Sequence, residues 1–236
     1  MKNKSMKKFY LILSALFAIT SFYAQEQKAT DIDKLIMRQA LAYGDNTIAT
    51  NSIYSIIAKE GVNSTYKDSL AYIYFGARKY SSCYLVSSDI LSRDGNKQDI
   101  LEMQAISLES IGAIDKAAQV YAKLTGKSNN NFHAYKLANL YYSLKKNKEA
   151  LMAIKKAEEL KDSGEMKVTY AINKTHNQQV ALAAGIANLK GLIEFDMKDN
   201  AAAKLSFEKA LSLQPDFVLA KENLQAIIDG KTAEEK

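Results

Sequence analysis

Few residues of this 236-residue chain stand in a pattern that could carry covalent chemistry. It has two histidines, His133 and His176, and one cysteine, Cys83. A zinc site or an activated nucleophile needs such residues at short, defined spacings, as in His-Glu-x-x-His or Cys-x-x-Cys. Neither spacing occurs. His133 falls at the start of an expected helix and His176 in an expected turn. Gly185 and Gly191 lie in a helical pattern, where they serve close packing and not a phosphate loop. A lone cysteine closes no internal disulfide. Cys83 could be a reactive thiol or half of an intermolecular bridge. Its place in the repeat described below favours packing, because free Cys behaves as a small buried hydrophobe. The expectation is a non-enzyme with no catalytic residue, no metal and no cofactor.

Charge argues against a nucleic-acid surface. The net charge is +6, but Lys2, Lys4, Lys7 and Lys8 supply four of these units and leave +2 for the rest. Nucleic acid and anionic membranes select clustered excess charge. Those four lysines precede an uncharged, mostly apolar run from Phe9 to Phe22, and then Ala24-Gln25. That order reads as a secretory signal peptide over residues 1–24. The run is short for a membrane span, which needs about 20 residues. Cleavage after Ala24 would put Phe22 where a small residue is usual, so an uncleaved N-terminal anchor is the alternative. No cysteine lies near for lipid attachment. Export is expected, to the periplasm first and secretion second, with no integral span.

The elements that position the remaining side chains repeat. A small residue opens the pattern small-x-x-x-large at Ala49, Cys83, Ala117, Ala150 and Ala203. The spacings are 34, 34, 33 and 53, the last being one period plus about 19 inserted residues. A period near 34 belongs to helix–turn–helix solenoids, which bind along extended surfaces. Five helical hairpins follow, with breaks at Gly44-Asp45-Asn46, Asp94-Gly95-Asn96, Gly112, Lys146-Asn147 and Asp199-Asn200. Phe217, Ala220, Leu224, Ile227 and Ile228 form a capping helix over 216–229, and 231–236 is a polar tail. The insertion spans 162–182. Lys167 to Ile172 is rich in β-branched and aromatic residues and reads as a strand, Asn173–Asn177 as a turn, and Gln178–Leu182 as the return strand. An irregular loop leading into a long helix is the competing reading. As a hairpin it would be a wall closing a groove, an edge strand for a partner, or a tolerated surface loop.

At these residues the chain resembles the tetratricopeptide repeat (TPR) family. The fifth copy keeps Gly191, Ala203, Phe207, Ala210 and Pro215. The fourth keeps Leu137, Tyr141, Ala150 and Ala157, and the second Leu70 and Tyr74. The likeness covers about residues 31–228. It lacks the family's Trp, and the chain has a single Pro. The resemblance implies an all-α, right-handed superhelix of TPR-like hairpins (a solenoid over 25–230), here with a small inserted β-hairpin. It also implies that the first helix of each hairpin lines a concave groove. The groove residues would then be Lys34, Arg38, Tyr72, Phe75, Tyr135, Asn139, Tyr142, Asn188 and Phe195. Several of these aromatics could instead pack between repeats. The set does not form the cationic clamp that grips acidic chaperone tails. The expected role is an exported, non-catalytic module that binds a protein or peptide segment, as an adaptor or assembly factor of a bacterial cell envelope. The alternative is an envelope carbohydrate- or peptidoglycan-binding subunit that stacks sugars on tyrosines. Nothing in the sequence sets the oligomeric state.

Overall fold

The computed structural model describes residues 28–160 and 164–230. The expected signal segment 1–24, the tail 231–236 and the first residues of the insertion lie outside that range. The described chain forms two compact units that meet at Gly95/Asn96 in the sequence.

The first unit holds two helical hairpins. Helix α1 covers residues 28–42 and is followed by α2 (Asn46–Glu60), α3 (Tyr66–Gly76) and α4 (Tyr80–Arg93). Its core joins Met37, Ile53, Ile56 and Leu70. The second unit holds α5 (Gln98–Ser110), α6 (Ile114–Lys127), α7 (Asn131–Ser143) and α8 (Asn147–Glu159). Strands β1 (Lys167–Ala171) and β2 (Asn177–Ala181) follow, then α9 (Leu182–Asp196), α10 (Asn200–Leu213) and α11 (Val218–Ile228). Helix α11 packs on α10 as a cap. The small residues that mark the repeat, Ala49, Cys83, Ala117, Ala150 and Ala203, are each fully buried. A side chain larger than these would hold the two helices of a hairpin apart.

One turn conformation joins the helices in all five hairpins. A left-handed residue stands at Gly44, Arg78, Gly112, Lys145 and Lys198. The next N–H reaches back five residues each time, as from Asp45 to Ala40 O at 2.8 Å and from Asp199 to Glu194 O at 3.0 Å. This double bond pattern satisfies the orphan carbonyls of the first helix. The next carbonyl then opens the second helix by accepting from the marker residue, as Asp45 O does from Ala49 N and Asp199 O from Ala203 N, each at 3.0 Å. The sequence period is therefore the period of a turn. Glycine is the natural left-handed residue, yet three turns adopt this conformation with Arg or Lys.

The insertion is an antiparallel hairpin with Val168 opposite Val180 and Tyr170 opposite Gln178. Its first strand ends at Ala171 and its second at Ala181, with Leu182 already opening α9. Two strands alone are marginal in water. This pair is held because Val168 and Val180 are buried together against the second unit. Gly185 of α9 is the seat. A Cβ built there would stand 2.7 Å from Val168 Cγ2 and 3.1 Å from the Tyr170 hydroxyl.

Candidate functional site

A cleft of about 290 Å³ lies between α7 and β1 in the second unit. Helix α7 contributes Phe132, Tyr135, Lys136 and Asn139, and β1 contributes Lys167, Val168 and Thr169. The helical four fall at i, i+3, i+4 and i+7, so they form one stripe along the helix. Asn130 caps this helix by accepting from Phe132 N at 2.9 Å. The cap fixes where the stripe begins.

The floor and wall are tied together. The Tyr135 and Tyr170 hydroxyls hydrogen-bond at 2.9 Å, and Tyr170 also donates weakly to Gly185 O at 3.4 Å. The Tyr170 ring rests on Phe217, with centroids 5.0 Å apart. Burial holds both phenols in the neutral form, pushing each above the ordinary tyrosine value. The rings of Phe132 and Tyr135 stack at 6.4 Å, with the half-buried Phe132 the more open of the two. Lys136 is held by Glu109 at 2.5 Å. Asn139 is exposed. Among the described residues, no acidic side chain pairs with Lys167, which is exposed as well. The cleft therefore offers an aromatic shelf, one amide and one uncompensated ammonium. It suits recognition, not bond making.

The expected groove residues divide sharply. Tyr135 and Asn139 line the cleft. Tyr142 lies three residues further along α7, where Lys145 approaches its ring at 5.6 Å; burial, followed by Asp196, raises its pKa. Asn188 and Phe195 are interior, a correction to the sequence reading. Asn188 is 1 % exposed and accepts from Asn223 at 3.0 Å, and Phe195 packs with Ala203 and Phe207. The physical reason is that α8, α10 and the hairpin pack on α9 and Asn223 of α11 reaches it, so that eleven of its fifteen residues are buried. No face of that helix is left for a groove. In the first unit Lys34 pairs with Glu60 at 2.9 Å and covers the Tyr66 ring. Phe75 packs edge-on against Tyr80 at 6.2 Å. Arg38 and Tyr72 are exposed on α1 and α3.

Sequence reasoning missed Phe132, Lys136, Lys167 and Thr169 as cleft residues. The stripe that includes Phe132 and Lys136 was available as a signal; the approach of β1 to α7 was not. Neither histidine enters the cleft. His133 is buried, accepts or donates at Ser128 Oγ (2.8 Å) and lies 3.2 Å from Glu102; burial lowers its pKa. His176 bonds within its turn, to Asn173 and Thr175. No group of three or more potential metal ligands occurs among the described residues. Nor is any helix among them long and apolar enough to cross a membrane.

Residues 184–217, covering α9 and α10, match the tetratricopeptide repeat. No curated protein matches the chain significantly. Among solved structures, the chain is similar to YrrB, described as a TPR protein with an unusual peptide-binding site. The identity is 14 %, the TM-score is 0.65, and the match covers 85 % of this chain and 97 % of YrrB. It is also similar to MamA (residue 41 to the end) from Desulfovibrio magneticus RS-1, at 15 % identity and a TM-score of 0.58, covering 80 % and 97 % of the two chains. At such identities the likeness establishes the fold. The chain is a TPR-like solenoid of helical hairpins carrying a small two-stranded insertion.

Proposed function

We propose that this protein is a non-catalytic interaction module that holds a protein or peptide segment in the cleft between α7 and β1. The observation that carries this reading is the cleft itself. An insertion unnecessary for the repeat is packed so that it walls in the α7 stripe and leaves Asn139, Lys167 and Thr169 exposed beside an aromatic shelf. Aromatic anchors with a few polar groups at the rim are the usual composition of such contacts. The peptide-binding description of YrrB, a protein of the same fold, is in keeping with it. The Lys-rich start and the apolar run Phe9–Phe22 support export, and with it a role as adaptor or assembly factor in a bacterial cell envelope.

The test compares full-length protein with Asn139→Arg, which fills the cleft from an exposed position and leaves the packing alone. Both are immobilised and exposed to envelope extract and to isolated peptidoglycan. The expected outcome is a protein retained by the parent and lost by Asn139→Arg. Retention on peptidoglycan that Asn139→Arg weakens would replace the protein partner with a carbohydrate. Equal protein capture by both forms would move the site out of the cleft.

A further inference from the structure

Resting on that reading, we propose how the segment is held: an extended peptide of a partner protein, carrying a carboxylate, adds to the outer edge of β1 as a third strand. The argument starts from ladder parity. Leu182 N–H donates to Met166 O and Ile172 N–H to His176 O, each at 2.9 Å. In an antiparallel pair the bonded and non-bonded positions alternate. The inward bonds of this hairpin therefore belong to 166/182, 168/180, 170/178 and 172/176. The N–H and C=O groups of Lys167, Thr169 and Ala171 point out from β1, and those of Asn177, Gln179 and Ala181 point out from β2.

The two edges are treated differently. The edge of β2 is already occupied. Gln214 accepts from Ala181 N at 2.9 Å and donates to Gln179 O at 3.3 Å, so its amide imitates the backbone of a neighbouring strand. Gln178 extends the closure, donating to Asp216 O at 2.7 Å and accepting from Val218 N at 3.0 Å. The edge of β1 has no such cover: among the described residues, none bonds the outward groups of Lys167, Thr169 or Ala171. Open edges are templates for another chain, and natural proteins blunt those they do not use. Here one edge is blunted by two glutamines while the other is left beside the cleft.

The occupant follows from what borders that edge. Strand pairing demands an extended backbone. Lys167 and Thr169, two of the three residues with outward groups, line the cleft together with Phe132, Tyr135, Lys136 and Asn139. Alternate side chains of an added strand would fall on that aromatic shelf. The lining has two lysines and no carboxylate; Lys136 is neutralised by Glu109, and Lys167 is not neutralised by any described residue. A carboxylate on the incoming segment would supply the missing partner.

The probe is a library of short random peptides displayed on phage and selected on the full-length protein. Selected peptides are expected to be enriched in β-branched residues and in Asp or Glu. They are then synthesised with single backbone N-methyl groups, which remove one donor each without altering the protein. N-methylation should weaken binding about tenfold at every second position and little between, the signature of a strand edge. Thr169→Pro should abolish binding while leaving the β1–β2 ladder whole, since that N–H points outward. Lys167→Gln should remove the preference for acidic peptides. Binding that is indifferent to N-methylation and to Thr169→Pro overturns strand addition but leaves the cleft as a peptide site. Failure to select any peptide overturns both. Self-association abolished by Thr169→Pro would give the edge to a second copy of this chain and overturn the peptide occupant.

Discussion

Gly191 and Gly185 stand less than two turns apart on α9, and each lets a different partner approach the same helix. Above Gly191 lies the ring of Phe207 from α10, and a Cβ there would meet three ring atoms at 2.5–2.9 Å. This is the contact of an ordinary repeat, between the two helices of one hairpin. Above Gly185 lies the insertion, through Val168 and Tyr170. The helix therefore uses one device twice, once to build the solenoid and once to dock something the solenoid does not need. The inserted hairpin is thus seated as closely as a repeat helix and is no loose appendage.

The largest effect should come from Gly191→Ala. Phe207 is fully buried, and its ring cannot swing away without displacing Phe195 and Ala203. Overpacking of this kind costs roughly 3 kcal/mol. Chemical denaturation should show the loss as a lower midpoint for the whole second unit. An unchanged midpoint would mean that the α9–α10 contact is looser than the geometry shows.

Next is Gly185→Ala, whose cost would equal that of Gly191→Ala only if the two glycines were equivalent. Val168 is β-branched and stiff, so relief must come from movement of β1. The cost should be smaller, about 1–2 kcal/mol, and confined to the hairpin. Hydrogen exchange should accelerate at the amides of Val168, Tyr170 and Val180 while α10 stays protected. Equal acceleration in α10 would show that hairpin and repeat unfold as one.

The clamp on the far edge belongs to the hairpin alone. Gln214→Ala frees Ala181 N and Gln179 O, which water can reach. Two partly exposed hydrogen bonds are worth about 1 kcal/mol together. Exchange at Ala181 should rise with little change in the denaturation midpoint. A large midpoint shift would make the clamp part of the solenoid core.

The sequence carried the repeat well and the insertion in part. Small residues at Ala49, Cys83, Ala117, Ala150 and Ala203 are legible because a close helix contact excludes anything larger, and all five are fully buried. Val168 and Tyr170 are legible as a strand because alternation is local, although that strand ends at Ala171, one residue short of Ile172. What was not legible depends on contacts between segments far apart in the chain. Gln178 and Gln214 look like ordinary polar residues until the strand edge is beside them. Asn188 and Phe195 occupy positions that face a groove in a regular repeat, and only α8, α10, the hairpin and Asn223 of α11 together turn them inward. Asn139 stayed exposed, and the buried Tyr135 still lines the cleft, because α7 has β1 beside it instead of on top of it.

The smallest effect is expected at Lys198, in the turn that joins the two helices of Gly191's own repeat. Its φ is 65°, a left-handed value that costs an L-residue about 1–2 kcal/mol. The backbone there is nonetheless committed, with Lys198 N donating to Phe195 O at 2.9 Å and Asp199 N to Glu194 O at 3.0 Å. The side chain is exposed, so its removal leaves no cavity. Gly44 and Gly112 show that two other turns of the same form use glycine. Lys198→Gly should relieve the strain, while the greater freedom of glycine in the unfolded chain takes back roughly 0.5–1 kcal/mol. The net gain is about 0.5 kcal/mol, visible as a small rise in Tm. Hydrogen exchange in the β1–β2 ladder should not change, because this turn belongs to the repeat and not to the docked hairpin. A fall in Tm would mean that the lysine contributes more through its side chain than the turn loses through its backbone. Slower exchange in the ladder would mean that repeat and insertion share one stability, which would erase the difference between the two glycines.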